Sequence, residues 1–311
     1  MQALTTLFPV FFMLFLGFIS RVKGWVSPEQ KSGANTIVFQ ILFPVLIFNV
    51  LLTSTIESSV IYVVGYVFVA FMIALIVGKA TCRFSGQKYA HFSHFLLTTV
   101  EGGNVALPLY TSIVGVAYAT NTVIFDLAGS LMAFIVIPII VAKDGQQQTS
   151  RKELFKTICS NSFVIAVALG LILNLTGVYT WLSQTHFIDL YTQTIAMVTN
   201  PIMGMILFII GYDLQIDTGN ISPLLKLMSV RLVLYIAIIA GFFILFPSLM
   251  ADKIFMLAVL IYFMCPTGFA IPMMISPLLK NNDDSSFASA YISLYMIITL
   301  IVYTAIVLFI A

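Results

Sequence analysis

A 311-residue chain that is 60% hydrophobic and only 8% charged, with a mean hydropathy of +1.08, lacks the roughly one-quarter charged residues that a soluble surface carries. It reads as an integral membrane protein. Its net charge of +2 comes without a basic stripe and so without a nucleic-acid footprint, and Cys82, Cys159 and Cys265 are too scattered for a disulfide framework or a paired-cysteine metal site.

The first apolar run covers about residues 4–20. No basic residue precedes it, and Arg21 and Lys23 follow it, which fits a retained first span better than a cleaved signal peptide. Further runs cover about 33–53, with Pro44 near the middle, then 60–79, 91–116 and 117–142. A polar stretch at 143–156 follows. The second half repeats the plan with runs at about 157–178, 187–212, 229–247, 253–279 and 287–310, and Pro201 in the seventh run echoes Pro44 in the second. Each run is near the ~20 residues that cross a bilayer as a helix, and too continuous for the alternating ~10-residue strands of a barrel.

The expected fold is therefore an all-α membrane protein of ten transmembrane helices. Residues 1–142 form one five-helix repeat, 143–156 a cytoplasmic linker, and 157–311 a second repeat, inverted because five spans precede it. Loops after the odd-numbered spans hold 3, 3, 4, 2 and 1 Lys or Arg, against Lys253 alone elsewhere. That bias places those loops in the cytoplasm and both termini outside.

Both repeats carry a break. In the fourth run, Glu101-Gly102-Gly103-Asn104-Val105-Ala106-Leu107-Pro108 combines unconstrained glycines with a proline that lacks a ladder donor. Adding 164 to Gly102 through Pro108 gives Pro266-Thr267-Gly268-Phe269-Ala270-Ile271-Pro272 in the ninth run, with the same Ala-apolar-Pro ending. Broken spans expose polar backbone that lipid does not accept, so paired breaks in matching halves point to a transporter's substrate site. The competing reading is that Gly and Pro merely bend two helices for packing. Half-helices starting after Gly103 and Gly268 would turn amide-rich ends towards the midplane, a receptor for a small anion. No Lys or Arg is expected at mid-depth in any span, which leaves dipoles and neutral donors to hold that anion.

The candidate substrate-binding residues are Gly102, Gly103, Asn104, Pro108, Asn161, Pro266, Thr267 and Gly268. Glu101 and Asp126 are the candidate coupling residues, because an ionisable group inside a span is a functional hypothesis by default. Asp126, beside Gly129 and Ser130, either completes a proton or cation site with Glu101 or ties two helices together. Asn104 and Asn161 can donate to a carboxylate or fasten helices. His91 and His94 have no third ligand in view, so no metal site is expected. Asp126 and Asp213 raise the alternative of an intramembrane aspartyl protease, but Asp213 lacks the Gly-x-Gly-Asp setting and falls at the end of a span. A channel or sensor on the same fold is a further alternative. No enzyme activity and no cofactor is expected beyond a coupling proton or sodium ion.

The ten spans in two inverted fives, the outside termini, the central linker and the broken fourth and ninth spans resemble the auxin efflux carrier family of the bile acid/auxin transporter group. Glu101-Gly102-Gly103-Asn104 with Ala106-Leu107-Pro108-Leu109 is similar to its bacterial malate and malonate permease branch, and Pro266-Thr267-Gly268 resembles the family's Pro-x-Gly. The resemblance implies a scaffold of spans 1, 2, 6 and 7, a transport domain of spans 3–5 and 8–10, and elevator-like carriage of small organic acids. Glu101 stands where plant members have Asn, and Asn161-Ser162 keeps the Asn of their Asn-Pro but loses the Pro. The implied partners are an organic acid anion and the lipid bilayer of the cell membrane, with no nucleic acid and with a homodimer left open.

Overall fold

Glycine, proline and capping residues punctuate the helices of the described residues. The computed structural model describes residues 2–53, 58–84, 86–144, 160, 162–213 and 221–310. Asn161 and Cys159, and most of the 143–156 linker, lie outside the described residues. By contact the chain divides into two compact units. One comprises Phe8–Glu57 and Ser150–Asp213, the other Met1–Leu7, Ser58–Thr149 and Leu214–Ala311.

The first of these units takes α1 (Gln2–Val22) from Phe8 onwards, and the helix continues past Pro9. α2 (Pro28–Thr36) starts at a capping box, with Ser27 Oγ accepting from the Gln30 amide at 3.3 Å and Gln30 Oε1 accepting from the Ser27 amide at 2.9 Å. A π-helical stretch at Ile37–Leu42 then leads into α3 (Phe43–Thr53). The wide turn absorbs Pro44, which donates nothing to the ladder and crowds the carbonyl four residues back. α8 (Ser162–Leu175) packs on α3, where Asn174 Nδ2 donates to the carbonyls of Leu51 and Leu52 at 3.0 and 2.9 Å. α9 (Val178–Leu182) precedes α10 (Ile188–Asp213), which lies against α1 closely enough for Gly17 and Gly211 each to face the other helix's backbone. Arg21 Nη1 donates to the Tyr212 carbonyl at 3.0 Å and Lys31 pairs with Asp213 at 2.6 Å, so the end of α10 is tied down by positive charge.

The second unit contains α4 (Ser58–Thr81), α5 (Leu107–Val114), α6 (Thr120–Leu131) with a π turn at Met132–Val136 leading to α7 (Ile137–Asp144), α11 (Ile221–Leu245), α12 (Lys253–Phe263), the single turn α13 (Ile271–Met274) and α14 (Asn282–Phe309). Its core is aromatic. Phe125, Phe242, Phe263 and Tyr262 meet edge-on or tilted with centroids 5.1–5.7 Å apart, the arrangement that ring quadrupoles favour.

Among the described residues six helical stretches are long and apolar enough to cross a bilayer: Thr5–Val22, Pro28–Thr53, Val60–Thr81, Ile188–Asp213, Ile221–Leu245 and Asn282–Phe309. Outward-facing Ile61, Ile76, Val233, Ile244 and Leu308 would be costly in water and suit lipid. The protein is a multi-pass, all-α membrane protein.

Candidate functional site

Both breaks are present, and both lie in the second unit. The fourth span is not an α-helix before its break. It consists of 3₁₀ turns at Gln87–Tyr89 and Ser93–Leu97, an extended stretch through Glu101, a π-helical turn at Gly102–Ala106, and then α5. In the ninth, α12 stops at Phe263, residues 264–270 are irregular, and α13 follows. The half-helix expected after Gly268 is thus one four-residue turn with a 3₁₀ turn at Ser276–Leu278 beyond it, too short to sum a useful dipole.

The extended stretches cross antiparallel. Glu101 donates its amide to the Pro266 carbonyl at 2.8 Å, and Thr99 Oγ1 accepts from the Gly268 amide at 3.4 Å and lies 3.5 Å from Thr267 Oγ1. The Glu101 carboxylate then spans the crossing. Its Oε1 accepts from the Asn104 amide at 3.3 Å and its Oε2 from the Phe269 amide. Amides expected to stand open to an anion are therefore engaged by the protein's own oxygens.

Asp126, half-buried on α6, approaches from the side. Its Oδ1 accepts from Tyr262 Oη at 3.1 Å, and the Gly102 and Gly103 amides are also directed at its carboxylate. A Cβ on Gly102 would overlap Asp126 Oδ1 and come within 2.8 Å of the Tyr262 ring, so the absence of a side chain there is what lets α6 and α12 close on the break. Pro108, buried at the second position of α5, supplies no donor to the carbonyl of Asn104, just where the Ala106 and Leu107 amides reach back five residues to Glu101 and Gly102.

The carbonyl ends of both broken segments are met from the opposite side. Arg231, fully buried near the middle of the 25-residue α11, donates Nη1 to the Leu96 carbonyl at 3.3 Å and Nη2 to those of Thr99 and Cys265 at 2.8 and 3.0 Å. Tyr235 Oη reaches the Leu97 and Thr99 carbonyls at 3.1 and 3.2 Å, and Thr299 Oγ1 donates to that of Met264 at 2.8 Å. Acidic and hydroxyl oxygens thus satisfy the orphan amides, while a guanidinium and hydroxyls satisfy the orphan carbonyls.

Arg231 corrects the expectation that no Lys or Arg sits deep in a span. The sequence reading counts Arg231 with the basic residues of the loop before the eighth span, but α11 begins at Ile221 and carries the arginine inside. A lone Arg between Val230 and Leu232 is the signal that could have found it. Thr99, Tyr235, Tyr262, Phe269 and Thr299 carry no comparable mark in the sequence.

The structure brings Glu101, Gly102, Gly103, Asn104, Asp126, Pro266, Thr267 and Gly268 to one place. Asp213 belongs to the other unit and pairs with Lys31 at 2.6 Å. His91 meets Asp284 at 3.3 Å, beside Tyr89 stacked on Phe287 at 3.9 Å.

A sequence profile of membrane transport proteins matches residues 2–311. The chain belongs to that membrane transport protein family, the family of the auxin efflux carriers. Among curated proteins none matches significantly. Membership makes the chain a membrane transporter, a non-enzymatic family, and places the crossing within a protein that moves a solute through the bilayer.

Proposed function

We propose that this member of the membrane transport protein family is a secondary active carrier of small organic acid anions, malate- or malonate-like mono- or dicarboxylates, coupled to protons. The observation that carries the reading is Glu101, a single carboxylate that bridges amides from both broken segments. Those amides form a receptor with the size and polarity of a carboxylate. Ionised Glu101 fills the receptor itself. Once Glu101 takes a proton its acceptor strength falls, and the carboxylate of a substrate replaces it, which links proton and anion binding without a cofactor. Asn104, Thr267 and the backbone at Gly102, Gly103 and Gly268 then hold the substrate, Pro108 and Pro266 keep the backbone open, and Asp126 exchanges the proton. The division into two compact units, one of which holds the whole crossing, supports separate transport and scaffold parts and elevator-like alternating access. The cell membrane, with both termini outside the cytoplasm, is the location that fits the distribution of basic residues.

A second reading, sodium coupling, is favoured by the convergence of Glu101, Asp126 and Tyr262 on Gly102. Uptake of radiolabelled malate and malonate into proteoliposomes under separate proton and sodium gradients distinguishes the two. Acceleration by the proton gradient alone is the expected result, acceleration by sodium selects the second reading, and the absence of saturable counterflow for every organic acid tried sinks both in favour of a channel or sensor.

A further inference from the structure

Arg231 carries a charge that its immediate partners solvate but do not cancel. It donates to the carbonyls of Leu96, Thr99 and Cys265, its guanidinium lies over the rings of Tyr235 and Tyr295 at 4.0 and 5.0 Å, and the Tyr291 and Tyr295 hydroxyls also face it. Dipoles and ring faces stabilise a buried cation and leave its net charge in place. That charge is close to the site. Cys265, whose carbonyl Arg231 holds, precedes Pro266, whose carbonyl takes the Glu101 amide.

Without Arg231 the crossing would be negative throughout. It would present the carbonyl ends of the Ser93–Leu97 turn and of α12 together with the carboxylates of Glu101 and Asp126, a lining suited to a cation. The low-dielectric surroundings make a single fixed charge felt over such distances.

We infer that Arg231 shifts the crossing towards anionic guests: its fixed positive charge, held by the Leu96, Thr99 and Cys265 carbonyls, offsets one of the two carboxylates there, so that protonation of Glu101 leaves the crossing without net negative charge. Arg231 is thus a positioning and specificity residue that does not touch the substrate. The inference deepens the anion-carrier reading and rests on it for its biological meaning, but the local potential is measurable whether or not any carboxylate is carried.

The test places a thiol at the crossing as Asn104→Cys in a chain whose Cys82, Cys159 and Cys265 are Ser, reconstituted in liposomes. The probes are an anionic sulfonatoethyl and a cationic trimethylammonioethyl methanethiosulfonate, each rate being divided by that for a free thiol in solution. Arg231→Gln is expected to lower the anionic-to-cationic rate ratio about tenfold or more, and Arg231→Lys, which keeps the charge and loses the fork, to stay within about threefold of the parent. An unchanged ratio in Arg231→Gln, or a Lys variant that behaves like Gln, overturns the inference, because the guanidinium would then serve only to join backbone segments. Should Arg231→Gln fail to fold, Cys265→Asp used instead of Cys265→Ser sets a carboxylate beside an intact Arg231 and is expected to lower the ratio similarly; no change there overturns the inference equally. Absence of malate counterflow in the unsubstituted protein, with the ratio still falling in Arg231→Gln, would reject the anion-carrier reading and leave the charge control standing.

Discussion

Glu101 accepts a hydrogen bond from the backbone amide of Phe269, 168 residues away in sequence, while its other carboxylate oxygen holds the Asn104 amide. One side chain therefore caps the restart of both interrupted spans. Lipid offers no water to the amides that a break exposes, so something in the protein must accept from them. An acid doing so is stabilising only while it can accept, which ties the geometry of the crossing to the ionisation of a single group.

Replacing Glu101 by Gln separates charge from shape. Gln keeps one carbonyl oxygen for the Asn104 or Phe269 amide but turns an NH₂ towards the other. The loss of one charge-assisted bond is expected to destabilise the protein by about 1.5–3 kcal/mol. Acceleration of malate uptake by a proton gradient should disappear while gradient-free counterflow survives, because the receptor remains and the titrating group is gone. A Gln variant whose uptake still responds to the gradient removes Glu101 from the coupling.

Gly102→Ala asks whether the approach of Asp126 matters. The new methyl would overlap Asp126 Oδ1, and Tyr262 behind it limits how far the carboxylate can retreat. Overpacking of this kind costs about 1–3 kcal/mol, and transport should fall by about tenfold or more even where folded protein is recovered. Gly65→Ala is the control, since a Cβ there meets nothing within 4 Å. Combining Gly102→Ala with Asp126→Ala is expected to restore thermal stability without restoring transport, as measured by melting temperature and proteoliposome uptake on the same preparations.

The positions of the two breaks are legible in the sequence because backbone chemistry announces them: Gly102, Gly103 and Gly268 lack side chains, and Pro108, Pro266 and Pro272 lack donors. The packing of the crossing is not. Arg231 looks like a loop residue because Lys226 lies just before it and the uninterrupted apolar run starts only at Leu232, and nothing local reveals that it faces three carbonyls. Likewise the sequence shows Glu101 next to a break but not that the side chain folds back onto the amides the break frees, a fact settled by the antiparallel pairing with Pro266. Tyr262 and Thr99 acquire roles only through neighbours more than 100 residues distant. Periodicity and composition report what each stretch must avoid, whereas the site depends on which stretches meet.

The unit without the crossing offers a stability test. Gly17 faces the Phe208 carbonyl and the Tyr212 amide, and Gly211 faces the Leu14 carbonyl, all of them backbone that cannot swing aside. Gly17→Ala must push α1 and α10 apart, with an expected loss of about 3 kcal/mol or more, at the upper end of overpacking effects. Gly33→Ala, with nothing within 4 Å, should be neutral or slightly stabilising. Equal melting temperatures for the two variants would refute the close approach of these helices.

Pro108→Ala discriminates between a break kept for transport and a bend kept for packing. In the native chain the Ala106 and Leu107 amides bond five residues back, and Pro108 offers no donor that could pull the next turn into α-helical register. Alanine restores that donor, and its preferred acceptor is the carbonyl of Asn104, whose amide Glu101 holds. Tightening the turn would draw Asn104 away from Glu101 and misalign the receptor, while the added backbone bond and the higher helix propensity of alanine offset part of the lost packing. The variant should therefore fold with a melting temperature within a few degrees of the parent, because about 1 kcal/mol in either direction is involved. Its malate uptake should nevertheless drop by about tenfold or more, since interactions that position a reacting or binding group are sensitive to displacements of an ångström. Loss of folded protein with normal uptake per folded molecule is the opposite pattern, and it would assign Pro108 to packing.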